Sequence, residues 1–448
     1  MSEWFCKDCN KDELVDLPNE MHEYLTNCFG NNGRYDSLSA IKIYDFLIEQ
    51  GLGEVDFLSS EELLSVGFTG PLVDHFCNRA DLKKQLGMLD EAIDDCNKAI
   101  TLDMEWSNAY NTRGTIYDRK GDEFQELKDY EKAVEIDNNG AALTNLGNYY
   151  KRKGQFDIAI RYYDQAILLD QDSEVKCWAH TGRGDIFCTQ GNYEKAMVEY
   201  EIAESLDQDY AWLHYKRGDC HSSKAIFLEY SEKNGVDYTR VIIEYTQAIE
   251  DFSRANELDP GCAWYAKDLS YAYLSRAEIY KKENQFDLVI QDVSRYMELD
   301  RENDDLSNYY NCGGLLVDCE AYDKAVIAFN KFLEKYPDPL GVGDRCLTEA
   351  LNWRGIAHCE LGDYEQALAD HNLAIKIAPD KPFGYCNLGD DYYAMGQYEK
   401  AIEYYTLSLK FDFEVSQSGS YTLYRRYKAY KAIGEDEKAQ ADLESNVW

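Results

Sequence analysis

Basic residues are scarce in this chain: 46 Lys and Arg stand against 84 Asp and Glu in 448 residues, a formal net charge of −38. A nucleic-acid binder displaces counterions from phosphate with Lys and Arg, so that class is excluded, and anionic membrane surfaces are disfavoured for the same reason. Long apolar runs are missing too. No stretch approaches ~18 continuous apolar residues, the length a spanning helix needs. The first residues carry Lys7, Asp8, Lys11, Asp12 and Glu13 with no apolar segment, so neither a signal nor a transit peptide is expected. These readings predict a soluble, cytoplasmic protein. Catalytic signatures are equally sparse. There is no glycine-rich phosphate loop, no His-Glu-x-x-His and no Gly-x-Ser-x-Gly, and Gly341-Val-Gly343 lacks a third glycine. No enzyme activity is expected. Only seven prolines, beside 37 tyrosines, point to helix rather than a turn-rich β protein.

What is present is a repeat. At 45% hydrophobic residues the chain can build a sizeable core. Its fourteen cysteines are scattered without a framework, so reduced thiols are expected. The segments beginning at Gly154, Gly191 and Gly396 align as Ala159-x3-Tyr163-x2-Ala166, Ala196-x3-Tyr200-x2-Ala203 and Ala401-x3-Tyr405-x2-Ser408. Small, aromatic and small residues at i, i+4 and i+7 share one helical face. A second helix precedes each, marked by Gly114 and Tyr117, Gly147 and Tyr150, Gly218 and His221, Gly355 and His358, and Gly389 and Tyr392. Each repeat is therefore a helical hairpin in which small residues admit close backbones and aromatics fill the space beside them.

This pattern resembles the tetratricopeptide repeat family, whose 34-residue unit has Gly or Ala at position 8, Ala at 20 and 27 and an aromatic at 24. Position 8 falls at Ala80, Gly114, Gly147, Gly184, Gly218, Ala277, Gly313, Gly355, Gly389 and Tyr427. Position 20 then reads Ala92, Glu126, Ala159, Ala196, Ala248, Val289, Ala325, Ala367, Ala401 and Ala439. The resemblance implies an all-α, right-handed superhelical solenoid of about ten hairpins over residues 73–448.

Departures from the unit cluster. Extra length between Gly218 and Ala277 predicts an overlong first helix from Tyr210 to Ser231, a turn at Lys233-Asn-Gly235 and an overlong second helix from Tyr238 to Glu257, with the irregular region reaching about residue 283. An inserted loop is expected at 337–343. Val289, Tyr296 and Phe332 replace the usual alanines, so the sixth and seventh repeats are expected to pack at wider separation. Residues 1–72 lie outside the pattern and read as an N-terminal helical cap or a small domain. Ser37 to Gln50 is amphipathic, and Ser59-Ser-Glu-Glu62 reads as a short capped helix.

Two candidate sites follow. Cys6-x2-Cys9-x12-His22-x5-Cys28 has a spacing that suits tetrahedral zinc, although Glu13 and Asn19 stand where zinc fingers carry an aromatic and an aliphatic residue. Zinc and free thiols stay as alternatives. The second site is the groove, which in this family is lined by positions 2, 5, 6, 9 and 12. Position 9 supplies Asn148, Asp185, Asp219, Glu278 and Asp390, and position 2 supplies Trp178, Trp212 and Tyr271. Acid beside aromatic suits a Lys- or Arg-bearing peptide. The alternative is that the acids solvate the surface and the aromatics pack on the preceding helix. Asn145, Asn311 and Asn387 at position 6 suit a peptide backbone. His180, His214, His221 and His358 fall on packing or groove-edge positions, and the arginines at position 7 (Arg113, Arg183, Arg217, Arg276 and Arg354) read as structural ion pairs. The cationic clamp by which some co-chaperones hold acidic tails is not matched, since its places are taken by Asn111, Thr115, Asn145, Trp178 and Gly182. The expected role is a protein-interaction scaffold or adaptor with a basic partner in the groove. A self-associating structural protein and a zinc-dependent adaptor acting through residues 1–30 are the alternatives.

Overall fold

The hairpins are built on a size match between two side chains. In the computed structural model, which describes residues 4–6, 37–49, 55–57, 72–231, 235–299, 306–339, 345–411 and 417–445, ten helical hairpins follow one another. Wherever position 8 is glycine, position 24 of the same hairpin carries a ring pressed against it. A methyl group at Gly147 would lie 2.4 Å from Tyr163, and one at Gly313 would lie 2.6 Å from Phe329, closer than carbon atoms approach. Where position 8 is alanine, position 24 is smaller: Ala80 faces Cys96, and Ala277 faces Val293. Tyr163 is clamped from both sides, because Gly182 of the following hairpin would meet the same ring at 2.5 Å.

A second rule joins the two helices of a hairpin by charge. Arg79, Arg113, Arg276, Arg354 and Arg426 each reach an aspartate sixteen residues later through two hydrogen bonds, and Arg183 does the same with Glu199. In the fifth hairpin Arg217 meets Asp251, thirty-four residues on. All seven acids are buried. In the three remaining hairpins both partners change together, to Leu146 and Tyr162, Cys312 and Ala328, and Leu388 and Tyr404. A buried charge without its partner is costly, so the pair is kept complete or replaced whole.

The described residues divide into two units at Lys216 and Arg217. The first contains a short antiparallel strand pair, β1 (Trp4–Cys6) and β2 (Val55–Phe57), and helix α1 (Ser37–Glu49). Four hairpins follow: α2 (Leu72–Gln85) with α3 (Leu89–Leu102), α4 (Ser107–Lys120) with α5 (Glu123–Asp137), α6 (Gly140–Arg152) with α7 (Phe156–Leu169), and α8 (Ser173–Thr189) with α9 (Tyr193–Leu206). Helix α1 buries Ala40, Ile41 and Tyr44, the last with its ring 5.7 Å from that of His75. Asp45 pairs with Arg79 at 2.7 Å, so α1 is tied to the first hairpin by both packing and charge. The short helix expected after Ser59 lies outside the described residues, as do Cys9, His22 and Cys28 of the zinc spacing; Cys6 ends β1.

Helix α10 (Ala211–Ser231) runs across the division point. The second unit continues with α11 (Tyr238–Leu258), α12 (Ala263–Lys282), α13 (Phe286–Leu299), α14 (Ser307–Asp318), α15 (Tyr322–Leu333), α16 (Arg345–Glu360), α17 (Tyr364–Ile377), α18 (Pro382–Ala394), α19 (Tyr398–Phe411), α20 (Gln417–Ala432) and α21 (Asp436–Ser445). The overlong helices are thus α10 and α11, each 21 residues long. Gly218 still faces Phe252, so the root of this hairpin keeps the common register and the added turns lie beyond it. Ala225, Leu228, Val241 and Tyr245 pack there against Ile279 of α12, and His221 and Lys224 hold Glu244 at 2.7 and 2.8 Å. Val289, Tyr296 and Phe332 are buried in the large apolar cluster of α12 to α15, where their bulk replaces the alanine contacts of other hairpins. Residues 340–343 of the expected inserted loop lie outside the described residues. The fold is an all-α solenoid of hairpins.

Candidate functional site

The first helix of each hairpin presents positions 2, 5, 6, 9 and 12 away from its partner, and in each unit these side chains line a concavity. In the first unit a hollow of about 180 Å³ is bordered by Asn145, Asn148, Trp178, Asp185 and Trp212, together with Lys151 and Lys216. Asp185 is not an open acid. Lys151 approaches it at 2.6 Å from the preceding hairpin, and Lys216 at 3.5 Å from the following one. The Lys216 ammonium also lies 5.0 Å from the Trp212 ring centroid. Asn148 accepts a hydrogen bond of 2.7 Å from the hydroxyl of buried Tyr163, and Asn145 donates to Asn111 at 2.9 Å. With two lysines around one aspartate, this hollow carries a small positive excess.

A larger concavity lies in the second unit, a cavity of about 700 Å³ between α14, α16, α18 and α20. Its walls are Tyr310, Trp353, Ile356, Phe383 and Tyr421. Glu349, Glu360, Asp390 and Asp391 supply its carboxylates, against Arg345 and Arg425. Asp390 matches Asn148 in detail, accepting from the Tyr405 hydroxyl at 2.7 Å. Arg425 makes an ion pair with Asp390 and lies 4.0 Å from the centre of the Tyr421 ring. Acid at position 9, then aromatic at 2 and cation at 6 in the next hairpin, is the same arrangement as Asp185, Trp212 and Lys216. Asn387 donates to Asn352 at 3.3 Å, repeating the Asn145–Asn111 contact.

Behind this cavity, His371 stands at position 24 where the other hairpins with glycine at position 8 carry Tyr or Phe, and Asp391 stands where they carry an apolar residue. Both are fully buried. The imidazole Nδ1 lies 2.6 Å from Asp391 Oδ2, and Nε2 lies 3.2 Å from the Asn352 carbonyl oxygen. Both ring nitrogens are engaged, so the ring is locked in place. Asp391 Oδ1 has no hydrogen-bond partner. The Cys359 thiol, a weak donor, faces this carboxylate and is pushed up to about 12 by burial first and by the Asp391 charge second. Elsewhere His180 meets Glu199 at 2.8 Å, and His214 Nε2 meets the Gln208 carbonyl oxygen at 2.8 Å. Among the described residues no group of three or more His, Cys, Asp or Glu could hold a metal ion. No described helix is long and apolar enough to cross a membrane.

The other expected groove residues stand apart from these two hollows. Asp219 is exposed on α10, Glu278 is exposed on α12, and Tyr271 packs its ring 6.5 Å from that of Tyr296, with the Lys267 ammonium 5.8 Å away. The structure therefore brings Asn148, Trp178, Asp185 and Trp212 together and places Asp390 in the larger cavity. Reading position 9 and position 2 alone missed Lys151 at position 12 and Lys216 and Arg425 at position 6. It also missed Trp353 and Phe383, which occupy groove positions 6 and 2 of the eighth and ninth hairpins. Their signal lay in the same register.

Models of the tetratricopeptide repeat match residues 76–103, 107–139, 140–173 and 347–412, and one described as TPR repeat matches 184–223. The matches leave out most of the overlong and bulky hairpins. A TPR repeat-containing protein of Methanocaldococcus jannaschii is 24% identical over 335 residues, 74% of this chain and 49% of that protein. The Hsp70-Hsp90 organizing protein of Triticum aestivum is 24% identical over 266 residues, 59% of this chain and 40% of its own length. The chain thus spans half or less of these curated relatives. A solved structure of the human IFIT1 dimer with m7Gppp-AAAA covers 84% of this chain and 78% of that one at 14% identity, with a TM-score of 0.42. Repeat register, paired glycine and ring, and four sets of matching family models agree, and the chain belongs to the tetratricopeptide repeat family.

Proposed function

We propose that this protein is an interaction scaffold that holds a basic segment of a partner protein against the concave faces of its hairpins. The observation that carries the reading is the large concavity of the second unit, where aromatic walls surround four carboxylates and two arginines. Such a surface favours a cationic, partly apolar segment, and the overall charge of −38 steers basic partners toward it. Pairs of groove asparagines, linked between hairpins, offer amides to a peptide main chain. Relatives named as organizing proteins for two chaperones support a scaffold role. The smaller hollow of the first unit, with Lys151 and Lys216 around Asp185, is the weaker site for a basic side chain.

The test is fluorescence anisotropy of labelled peptides against the full chain at low and moderate salt, using an arginine- and lysine-bearing peptide and its acidic counterpart. Binding of the basic peptide, weakened by salt, is expected, with none of the acidic one. Preference for the acidic peptide would refute the partner class, and binding of neither would refute a peptide-binding groove.

A further inference from the structure

The large cavity resolves into a more specific site, an inference that rests on the scaffold reading above. We propose that the cavity between α16, α18 and α20 is an arginine subsite: it receives the guanidinium of a partner arginine in the place that Arg425 now fills. Trp353, Phe383 and Tyr421 are large, exposed aromatic side chains on three successive first helices, all turned to one hollow. Exposed rings around carboxylates are the chemistry of cation–π recognition. A guanidinium is flat, stacks on such rings and carries five donors for separate carboxylates, whereas an ammonium is a compact, strongly hydrated point charge.

The chain itself shows the fit. Arg425 stacks on Tyr421 while pairing with Asp390, so the site accepts a guanidinium held by one ring and one carboxylate. Two further acids have no Lys or Arg partner, Asp391 being held on one oxygen by His371. Glu360 is exposed at the rim, and Asp391 is fully buried with Oδ1 accepting no hydrogen bond. A buried carboxylate oxygen left unsatisfied costs free energy that an incoming donor recovers. At about 700 Å³ the cavity falls in the range of ligand pockets and exceeds what Arg425 occupies, so a partner residue can enter with its neighbours on either side. An acidic ligand is disfavoured, because Arg345 is already held by Glu349 at 2.6 Å and Arg425 by Asp390. Arg425 is then an internal competitor, and its removal opens the subsite.

The experiment titrates the full-length protein with a labelled pentapeptide, acetyl-Gly-Arg-Gly-Arg-Gly-amide, and with its lysine, citrulline and glutamate versions. Arginine is expected to bind several-fold more tightly than lysine, and citrulline about tenfold more weakly or not at all, since it keeps the shape and loses the charge. R425Q is expected to raise affinity for the arginine peptide several-fold. Trp353→Ala, at an exposed residue, is expected to weaken it about tenfold, the size of a cation–π contact, and Glu360→Gln several-fold. The indole NMR signal of Trp353 should move on binding. Equal affinity for arginine and citrulline, or weaker binding by R425Q, would overturn the subsite. A basic peptide that binds the wild type but ignores R425Q, Trp353→Ala and Glu360→Gln leaves the scaffold reading standing and removes this cavity from it. Absence of basic-peptide binding to both wild type and R425Q defeats the scaffold reading itself.

Discussion

Two adjacent glycines in α14 give opposite expectations for the same substitution. Gly313 sits at position 8 of its hairpin, and a methyl group there would lie 2.6 Å from two carbons of the Phe329 ring, which is fully buried. Gly314 has nothing within 4 Å of the same added atom. In a helix interior, alanine in place of glycine removes backbone freedom from the unfolded chain and stabilises by roughly 0.5–1 kcal/mol. Gly314→Ala should show that gain unopposed. Gly313→Ala should show it outweighed, because forcing a methylene-sized group into a packed core costs about 1–3 kcal/mol. The two neighbours should differ by about 2 kcal/mol. A repair is written in the other hairpins, where alanine at position 8 faces a smaller residue: Phe329→Val in the Gly313→Ala background recreates the pair Ala277 and Val293. Phe329→Val alone leaves a void and should cost about 2–3 kcal/mol. The double variant should be more stable than the sum of the two by about 1 kcal/mol or more. Repeat arrays need not unfold as a single unit, so the measurement is native-state hydrogen exchange of α14 and α15 amides rather than one global midpoint. Equal effects at Gly313 and Gly314, or strict additivity in the double variant, would refute the size match as the organising rule.

Two further outcomes follow from the charge rules. Arg354→Leu should destabilise the eighth hairpin by roughly 3 kcal/mol by stranding buried Asp370, whereas Arg354→Leu with Asp370→Tyr, copying Leu388 and Tyr404, should return to within about 1 kcal/mol of the wild type by native-state hydrogen exchange of α16 and α17 amides. In the lengthened hairpin, burial pushes the Glu244 carboxyl up, but hydrogen bonds and charge from His221 and Lys224 outweigh it and hold it below the ordinary 4.5. Its contribution is therefore present above 4.5 and lost as pH falls below that value, so the hydrogen-exchange protection factors of α10 and α11 amides should fall more steeply in the wild type than in Glu244→Gln below about pH 4.5.

The hairpins were legible because their packing is local. Glycine at position 8 and the ring sixteen residues later belong to one pattern, and the overlong α10 and α11 announced themselves as extra spacing between Gly218 and Ala277. The expected arginine ion pairs are present for the same reason, being fixed within single hairpins. The grooves were less legible, since their chemistry is settled between hairpins. Asp185 looks like an available acid until Lys151, thirty-four residues earlier in the chain, is seen to reach it. Arg425 was obscured further, because its hairpin carries Tyr427 where glycine marks the register in most others. Asp391 and His371 could be seen as departures from the repeat, but only the structure shows that they answer each other.

The lengthened fifth hairpin separates two kinds of freedom in the array. Its root is fixed, since Gly218 must still meet Phe252 and Arg217 must still meet Asp251. Toward the tip, each arm gains roughly two turns, about 11 Å at the helical rise. Growth shared by both antiparallel arms leaves every contact at the root unchanged, while growth in one arm alone would slide arginine past aspartate and ring past glycine. Hairpin length can therefore change in paired steps while the root contacts hold, and the next repeat answers in one arm alone: α12 reaches 20 residues beside a 14-residue α13, its added turns lie before Ala277, and its far end meets the extension through Ile279 packed there and Lys282 bound to Glu229 at 2.5 Å.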